Sequence, residues 1–288
     1  MSILQLPRIK NASRGADFTQ TRHSTSYPHI SPLSLDVSGK NVLVTGAAFE
    51  EGVGFATAVA FARAGAGGLW LLLISFDLIA KFKKAAIDAR RAEPTVLVCN
   101  VDISSAESVR TLHDSVQEAF GSSRLDVLVN NAAVIEPDIE VNVRGLINMA
   151  RCFLPGMLEG WKIEDSADGK KKRALSARSA GSSYRSSKLA VLRWTESLRL
   201  EYVDQGLLAY CVNSGAIWTK ITEGQLGEVR DRLPDRPEVA GDTIAWLAAR
   251  RREWLGGRYV SCVRDMQELE LKKAEIVEGN LLKVRMAV

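Results

Sequence analysis

The sequence predicts a single α/β domain built on a doubly wound parallel sheet. Three observations carry that expectation. Four short runs, at 41–44, 69–74, 95–101 and 125–130, are apolar throughout instead of alternating. Strands of that kind are covered on both faces, as in a parallel sheet with right-handed crossovers. Between the runs lie segments of helical composition, so strands and helices alternate. Finally, 288 residues with 46% apolar and 25% charged side chains suit one large soluble domain.

Taken in order, residues 1–38 are polar, carry Pro7, Pro28 and Pro32, and read as a partly ordered N-terminal arm. The arm has no apolar core of a secretory signal. Arg8, Lys10, Arg14 and Arg22, opposed by Asp17, leave a mitochondrial presequence as an alternative. Asn41 to Val44 is the first strand. A Gly-bearing turn follows, then a helix from about Val53 to Ala64, with Gly65 where a helix-terminating glycine belongs. Leu69 to Ile74 is the second strand. A charged helix over 77–92 ends before Pro94. Thr95 to Val101 is the third strand, Glu107 to Phe120 a helix closed by Gly121, and Leu125 to Asn130 the fourth strand.

Beyond these come a helix over about 138–158, a polar stretch over 161–180, and a helix over about 182–204. A strand from Leu208 to Val212, a helix over about 238–249 and a last strand from Gly257 to Cys262 follow. The expected organisation is the arm at 1–38, the sheet domain at 39–265 and a charged helical tail at 266–288. Lys162, Glu164, Asp165, Asp168 and the run Lys170 to Arg173 argue that 161–173 is a surface loop. Burying them unpaired would cost several kcal/mol each. The chain is therefore expected to bypass the centre of the sheet and leave strands four and six badly bridged or paired with each other.

Composition also excludes some functions. A net charge of +4 is too small to argue for nucleic acid as a partner. Cys99, Cys152, Cys211 and Cys262 lie far apart, which fits separate thiols in a reducing, cytoplasmic compartment. Two of the three histidines, His23 and His29, lie in the arm, so neither a metal centre nor a His-based triad is expected. The longest apolar block, Leu69 to Ile74, is too short to span a membrane. The expected partner is a small-molecule substrate, and self-association into a homo-oligomer is compatible with the composition.

Thr45-Gly46-Ala47-Ala48-Phe49-Glu50-Glu51-Gly52-Val53-Gly54 sits between the first strand and the first helix. Glycines there let the backbone turn tightly and approach a pyrophosphate resting on the helix N-terminus, as in a Rossmann-like nucleotide site. On a later helix, Tyr184 and Lys188 are four apart and share a face. A free tyrosine has a pKa of about 10, and a neighbouring ammonium favours its phenolate. Such a pair suits proton exchange with a hydroxyl or carbonyl.

The ordered set resembles the short-chain dehydrogenase/reductase family. The glycine turn is similar to its cofactor fingerprint, with a longer gap from Gly46 to Gly52 and Gly54. Val101-Asp102-Ile103 resembles the segment whose Asp holds the adenine amine. Asn130-Asn131-Ala132-Ala133 is similar to the family's Asn-Asn-Ala-Gly after strand four. Val141-Asn142-Val143 resembles the helix carrying a catalytic Asn, and Tyr184-Arg185-Ser186-Ser187-Lys188 matches Tyr-x-x-x-Lys. Asn213 to Thr219 resembles the loop bordering the nicotinamide. Segments 27–32 and 257–261 look like a fungal branch of the family.

The resemblance implies catalytic Tyr184, Lys188 and Asn142, with Asn142 holding a relay water. It implies cofactor contacts from Gly46, Gly52, Val53, Gly54, Asp102, Asn130, Tyr184, Lys188 and Thr219. The implied activity is NAD- or NADP-dependent interconversion of an alcohol and a ketone, in fungal secondary metabolism. A pseudoenzyme or a non-redox catalyst that keeps the fold is the alternative.

Three departures bear on activity. Lys171 occupies the place of the family's active-site Ser, with Ser166, Ser176 and Ser179 out of register. Asn131 and Asn142 stand closer together than in the family. Ser214 replaces the Pro of the nicotinamide loop. The choice between NAD and NADP stays open, because Ile74-Ser75-Phe76-Asp77 is neither a clear acid nor a clear basic signal. Glu50 and Glu51 would repel a 2′-phosphate, whereas Ser75 could accept one.

Overall fold

In chain order the strands are β1 (Asn41–Val44), β2 (Gly68–Leu72), β3 (Thr95–Cys99), β4 (Val127–Asn130), β5 (Arg173–Ser176), β6 (Leu208–Asn213) and β7 (Tyr259–Ser261). The helices are α1 (Val53–Arg63), α2 (Leu78–Asp88), α3 (Ala106–Phe120), α4 (Leu146–Leu158), α5 (Ser182–Glu201), α6 (Pro237–Ala249), α7 (Met266–Leu271) and α8 (Lys273–Glu278). The structure is a computed structural model that describes residues 18–72, 78–120, 124–135, 139–158, 173–176, 182–222 and 233–285.

The strands form one sheet in the order β3-β2-β1-β4-β5-β6-β7, and every pairing is parallel. From β1 the chain first builds outward through β2 and β3. It then crosses to the other side and builds through β4 to β7. The order therefore reverses between β1 and β4, and a crevice opens at the carboxyl ends of such strands.

Alternation along each strand feeds two separate cores. Val42, Val44, Val127, Val129 and Tyr210 pack with α1, α2 and α6 on one face. Leu43, Trp70, Leu128 and Ala209 pack with α3, α4 and α5 on the other. This is the two-faced burial that the apolar runs predict, and the sheet is doubly wound as expected.

The centre of the sheet departs from expectation. The chain does not bypass it: Arg173–Ser176 is a central strand between β4 and β6. Only residue 173 of the stretch expected to loop outward is described, and it is in the strand. The rest of that stretch, with Lys171 and Ser166, lies outside the described residues, as does Ser179. The reason is backbone hydrogen bonding. Without β5 the facing edges of β4 and β6 would bury unpaired N–H and C=O groups, each costing about 1–3 kcal/mol. A four-residue strand satisfies both edges, and its short Ala174-Leu175 centre is all the apolar signal the sequence offers.

Helix α4 is preceded by a π-helical turn, Glu140–Gly145, so the helix expected over about 138–158 opens with a wider turn. The described part of the arm, residues 18–38, folds back along α6, β7 and α7. Ile30, Leu35 and Val37 are buried in the main core. Polar ties run beside them: His23 Nε2 to Asp265 at 2.8 Å, Ser26 to Asp242, His29 to Glu270, and Thr21 to Glu268. The tail is anchored in the same way. Asp265 caps α7 by accepting from Glu268 N–H at 2.7 Å, and Met266, Leu269 and Ile276 are buried.

Asp242 gives this packing a pH dependence. The residue is buried on α6, and burial pushes its carboxyl up to about 6, against the Ser26 hydrogen bond and Arg63, which pull it down. A folded pKa above the unfolded one means the contribution is fully present below about pH 4 and is lost as pH rises through about 6. A shift of about two units corresponds to about 3 kcal/mol. Urea unfolding should therefore show wild type losing about 3 kcal/mol relative to Asp242→Asn between about pH 4 and about pH 8. A constant difference between the two proteins would contradict this.

Candidate active site

The carboxyl ends of β1, β4, β5 and β6 lie at one edge of the sheet, and the turns leaving β1 and β4 are braced against each other. Thr45 Oγ1, just past β1, accepts the N–H groups of Asn131 at 2.9 Å and Ala132 at 2.8 Å. Asn131 Nδ2 returns bonds to the carbonyls of Thr45 at 2.9 Å and Gly46 at 3.0 Å. The β1–α1 turn and the β4 end are thus one unit, across the point where strand order reverses.

Gly46, Gly52, Val53 and Gly54 all lie on this turn or on the first turn of α1. Gly46 has φ +68°. Gly52 is the N-cap and has no side chain to accept from the first-turn amides. Those amides and the positive end of an 11-residue helix are the groups an anion would meet there. No acidic residue lies in the first turn of α1, and the Glu50 carboxylate is paired with Lys81 on α2. Residues Ile74 to Asp77, where NAD and NADP would be distinguished, lie outside the described residues.

Asp102 follows β3 and is exposed. Its Oδ1 accepts from Ser104 N–H at 2.9 Å and Ser104 Oγ at 2.6 Å, and these bonds hold the carboxyl below the usual range. Asn130, the last residue of β4, is buried, and its Oδ1 has no hydrogen-bond partner among the described residues. It lines a small cleft with Ala132, Asn142, Lys188 and Val191.

Asn142 sits in the π-helical turn and is buried. Its Oδ1 accepts from Val134 N–H at 2.9 Å, and its Nδ2 donates to Val134 O at 2.9 Å and Ser187 Oγ at 3.2 Å. Ser187 Oγ in turn donates to Tyr184 O at 2.8 Å. Tyr184 and Lys188 are both buried on one face of α5, with Lys188 Nζ 5.1 Å from the Tyr184 ring centroid. Thr219, at the far end of the β6 loop, donates its N–H to Thr222 Oγ1 at 2.9 Å.

The structure therefore brings Asn130, Asn142, Tyr184 and Lys188 together at the edge that also carries the glycine turn. Asp102 follows β3 and Thr219 lies beyond β6, strands that stand two away from β1 and β4 on either side. Sequence reasoning missed Ser187, which ties Asn142 to α5. Its signal was its position three after Tyr184, on the same helix face. Ser176, which the sequence reading sets aside as out of register, is the last residue of β5, and its backbone pairs level with Asn130 and Cys211.

These features define an α/β fold with a nucleotide-type turn at the reversal of strand order and a Tyr–Lys pair beside it. The family model for short chain dehydrogenases matches residues 40–228, and the chain belongs to that family of oxidoreductases. A short chain dehydrogenase of Monascus purpureus is 35% identical over 298 residues, covering 96% of this chain and 98% of the relative. One of Monascus ruber is 34% identical, covering 97% of each. Among solved structures, a short-chain type dehydrogenase/reductase from Mycobacterium marinum superposes with TM-score 0.66 at 21% identity, covering 80% of this chain and 97% of that one. L-sorbose reductase from Gluconobacter frateurii, solved with NADPH and L-sorbose, gives TM-score 0.61 at 22% identity, over 79% and 96%.

Proposed function

We propose that the protein is an NAD- or NADP-dependent oxidoreductase that interconverts an alcohol and a ketone on a small molecule. The observation that carries this is the buried network in which Asn142, Ser187, Tyr184 and Lys188 line one edge of the sheet, next to an uncapped helix N-terminus. The residues present fit a dinucleotide. Gly46, Gly52, Val53 and Gly54 would hold the pyrophosphate, and Asp102 the adenine amine. Asn130 Oδ1, unpartnered among the described residues, is a buried acceptor in the cleft that Lys188 also lines. Lys188 and Thr219 would hold the nicotinamide ribose and amide end. When bound, the nicotinamide supplies or receives the hydride.

The chain's own residues would do the rest. Tyr184 Oη exchanges a proton with the substrate oxygen, and Lys188 keeps positive charge beside it. Asn142 is fixed through both its oxygen and its nitrogen, so it is held in one orientation at the base of the cleft. We assign the contact to the substrate oxygen to Ser176 in place of Lys171, because β5 ends on it between β4 and β6. The fungal branch that the chain resembles supports a substrate from secondary metabolism. L-Sorbose reductase, which shares the fold, was solved with NADPH, and that supports the cofactor class.

The test is turnover of NADH and NADPH against a panel of ketones, with Ser176→Ala alongside. Loss of reduced cofactor with at least one ketone is expected. Removing one donor to a reacting oxygen should lower kcat by about 100-fold or more. Equal kcat in Ser176→Ala takes Ser176 out of the site. Cofactor binding with no turnover across the panel would favour a binding protein that keeps the fold.

A further inference from the structure

The N-terminal arm reaches the loop that leaves β6. Residues 213–219 form that loop, and Asp235, just before α6, clamps it. Asp235 Oδ2 accepts from Ala216 N–H at 2.6 Å, and Asp235 N–H donates to Ala216 O at 3.0 Å. Ile217 bridges to both Pro234 and Asp235. Gly215 has φ +103°, and a Cβ there would lie 2.7 Å from Asp235 Oδ2, so the glycine permits the close approach. The Asp235 side chain is 0% exposed, and its other oxygen, Oδ1, accepts from Arg22 Nη2 at 2.5 Å. The backbone holds Arg22 in place: Arg22 bridges to Arg264, His23 N–H donates to Val263 O at 2.8 Å, and Arg236 N–H donates to Ser24 O at 2.7 Å.

A fully buried carboxylate needs a partner charge, and Arg22 is the cation ion-paired with it among the described residues. Without the guanidinium, Asp235 would turn toward water or take a new partner. Either movement releases Ala216, because Asp235 holds it through the second oxygen.

The geometry points to Arg22 as a positioning residue that reaches from the arm, through Asp235, to set the 213–219 loop at the nicotinamide end of the site. The inference rests on the nucleotide reading above for what the loop borders. The tie itself stands on the geometry of the free protein. Arg22 touches no reacting atom. Its effect should fall on the nicotinamide half of the cofactor and spare the adenine half, which the β1–α1 turn and Asp102 would hold.

The experiment uses the full chain with Arg22→Gln, Arg22→Lys and His23→Gln. The last cuts the neighbouring tie to Asp265 and leaves Asp235 alone. Two readouts are taken: hydrogen exchange of peptides covering 213–219 in the free protein, and affinity for the reduced dinucleotide compared with ADP-ribose or its 2′-phosphate. In Arg22→Gln, exchange over 213–219 should rise and reduced-dinucleotide binding should weaken by about tenfold, with ADP-ribose affinity unchanged. Lysine should restore much of both. His23→Gln should lower the unfolding midpoint without changing the affinity ratio.

Unchanged exchange over 213–219 in Arg22→Gln overturns the tie. Raised exchange with an unchanged affinity ratio overturns its role at the cofactor. An equal shift of the ratio in His23→Gln reduces Arg22 to general anchoring and also overturns that role. If wild type binds neither ligand, the nucleotide reading fails and the role of Arg22 at the cofactor falls with it, while the exchange result still decides the tie.

Discussion

Tyr184→Phe is expected to lower kcat by about 100- to 10,000-fold, the range lost with a positioned general acid or base. The ring is 2% exposed and packs on α5 beside Lys188, so phenylalanine keeps the packing and removes the hydroxyl alone. The tie from Asn142 through Ser187 to this helix ends on the Tyr184 carbonyl and does not involve the phenol oxygen. The backbone geometry of the site should therefore survive the change. Affinity for the reduced cofactor should stay near the wild-type value, so the loss belongs in kcat. Steady-state kinetics with a productive ketone, paired with a cofactor titration, checks both halves. Equal turnover in the two proteins would remove Tyr184 from the mechanism.

Gly54→Ala should be nearly as damaging, by a different route. A Cβ at Gly54 would stand 2.3 Å from the Gly46 carbonyl oxygen and 2.6 Å from Asn131 Nδ2. Asn131 Nδ2 donates a hydrogen bond to that carbonyl oxygen, so neither can yield alone. Asn131 also braces the Thr45 carbonyl, so the displacement would spread through the β1 turn into the end of β4. Even a methyl group is too large here; a bulky side chain is not needed to block a pyrophosphate. Overpacking of this kind costs about 1–3 kcal/mol, and dinucleotide affinity should drop by about tenfold or more as the turn opens. Thermal unfolding and a binding titration on the same sample would show both effects. Wild-type affinity in Gly54→Ala would place the nucleotide elsewhere.

The parts legible in the sequence are those where one local pattern decides the structure. β1, β2, β4 and β6 are mostly apolar because both faces are covered, β3 at the sheet edge is half-buried, and the structure places all five at the expected segments. The Tyr184–Lys188 face follows from helical spacing alone. β5 was not legible, because Arg173-Ala174-Leu175-Ser176 carries two apolar residues inside a charged stretch. Its presence is dictated by the unpaired edges of β4 and β6, and no local pattern records those. Two further details depend on approach across the fold. Ser187 meets Asn142 from 45 residues away, and Arg22 meets Asp235 from 213 residues away. The π-helical turn that carries Asn142 was also hidden, because its side chains read as ordinary helix.

The central claim is that a nicotinamide dinucleotide binds at the carboxyl edge of the sheet between β1 and β4. Titration of NADH and of NADPH into the wild-type protein, followed by energy transfer from tryptophan to the reduced nicotinamide, tests it most directly. Saturable binding of one of the two at one site per chain, displaced by ADP-ribose or its 2′-phosphate, is the predicted result. Absence of binding by either, in a sample that unfolds cooperatively, would contradict the claim.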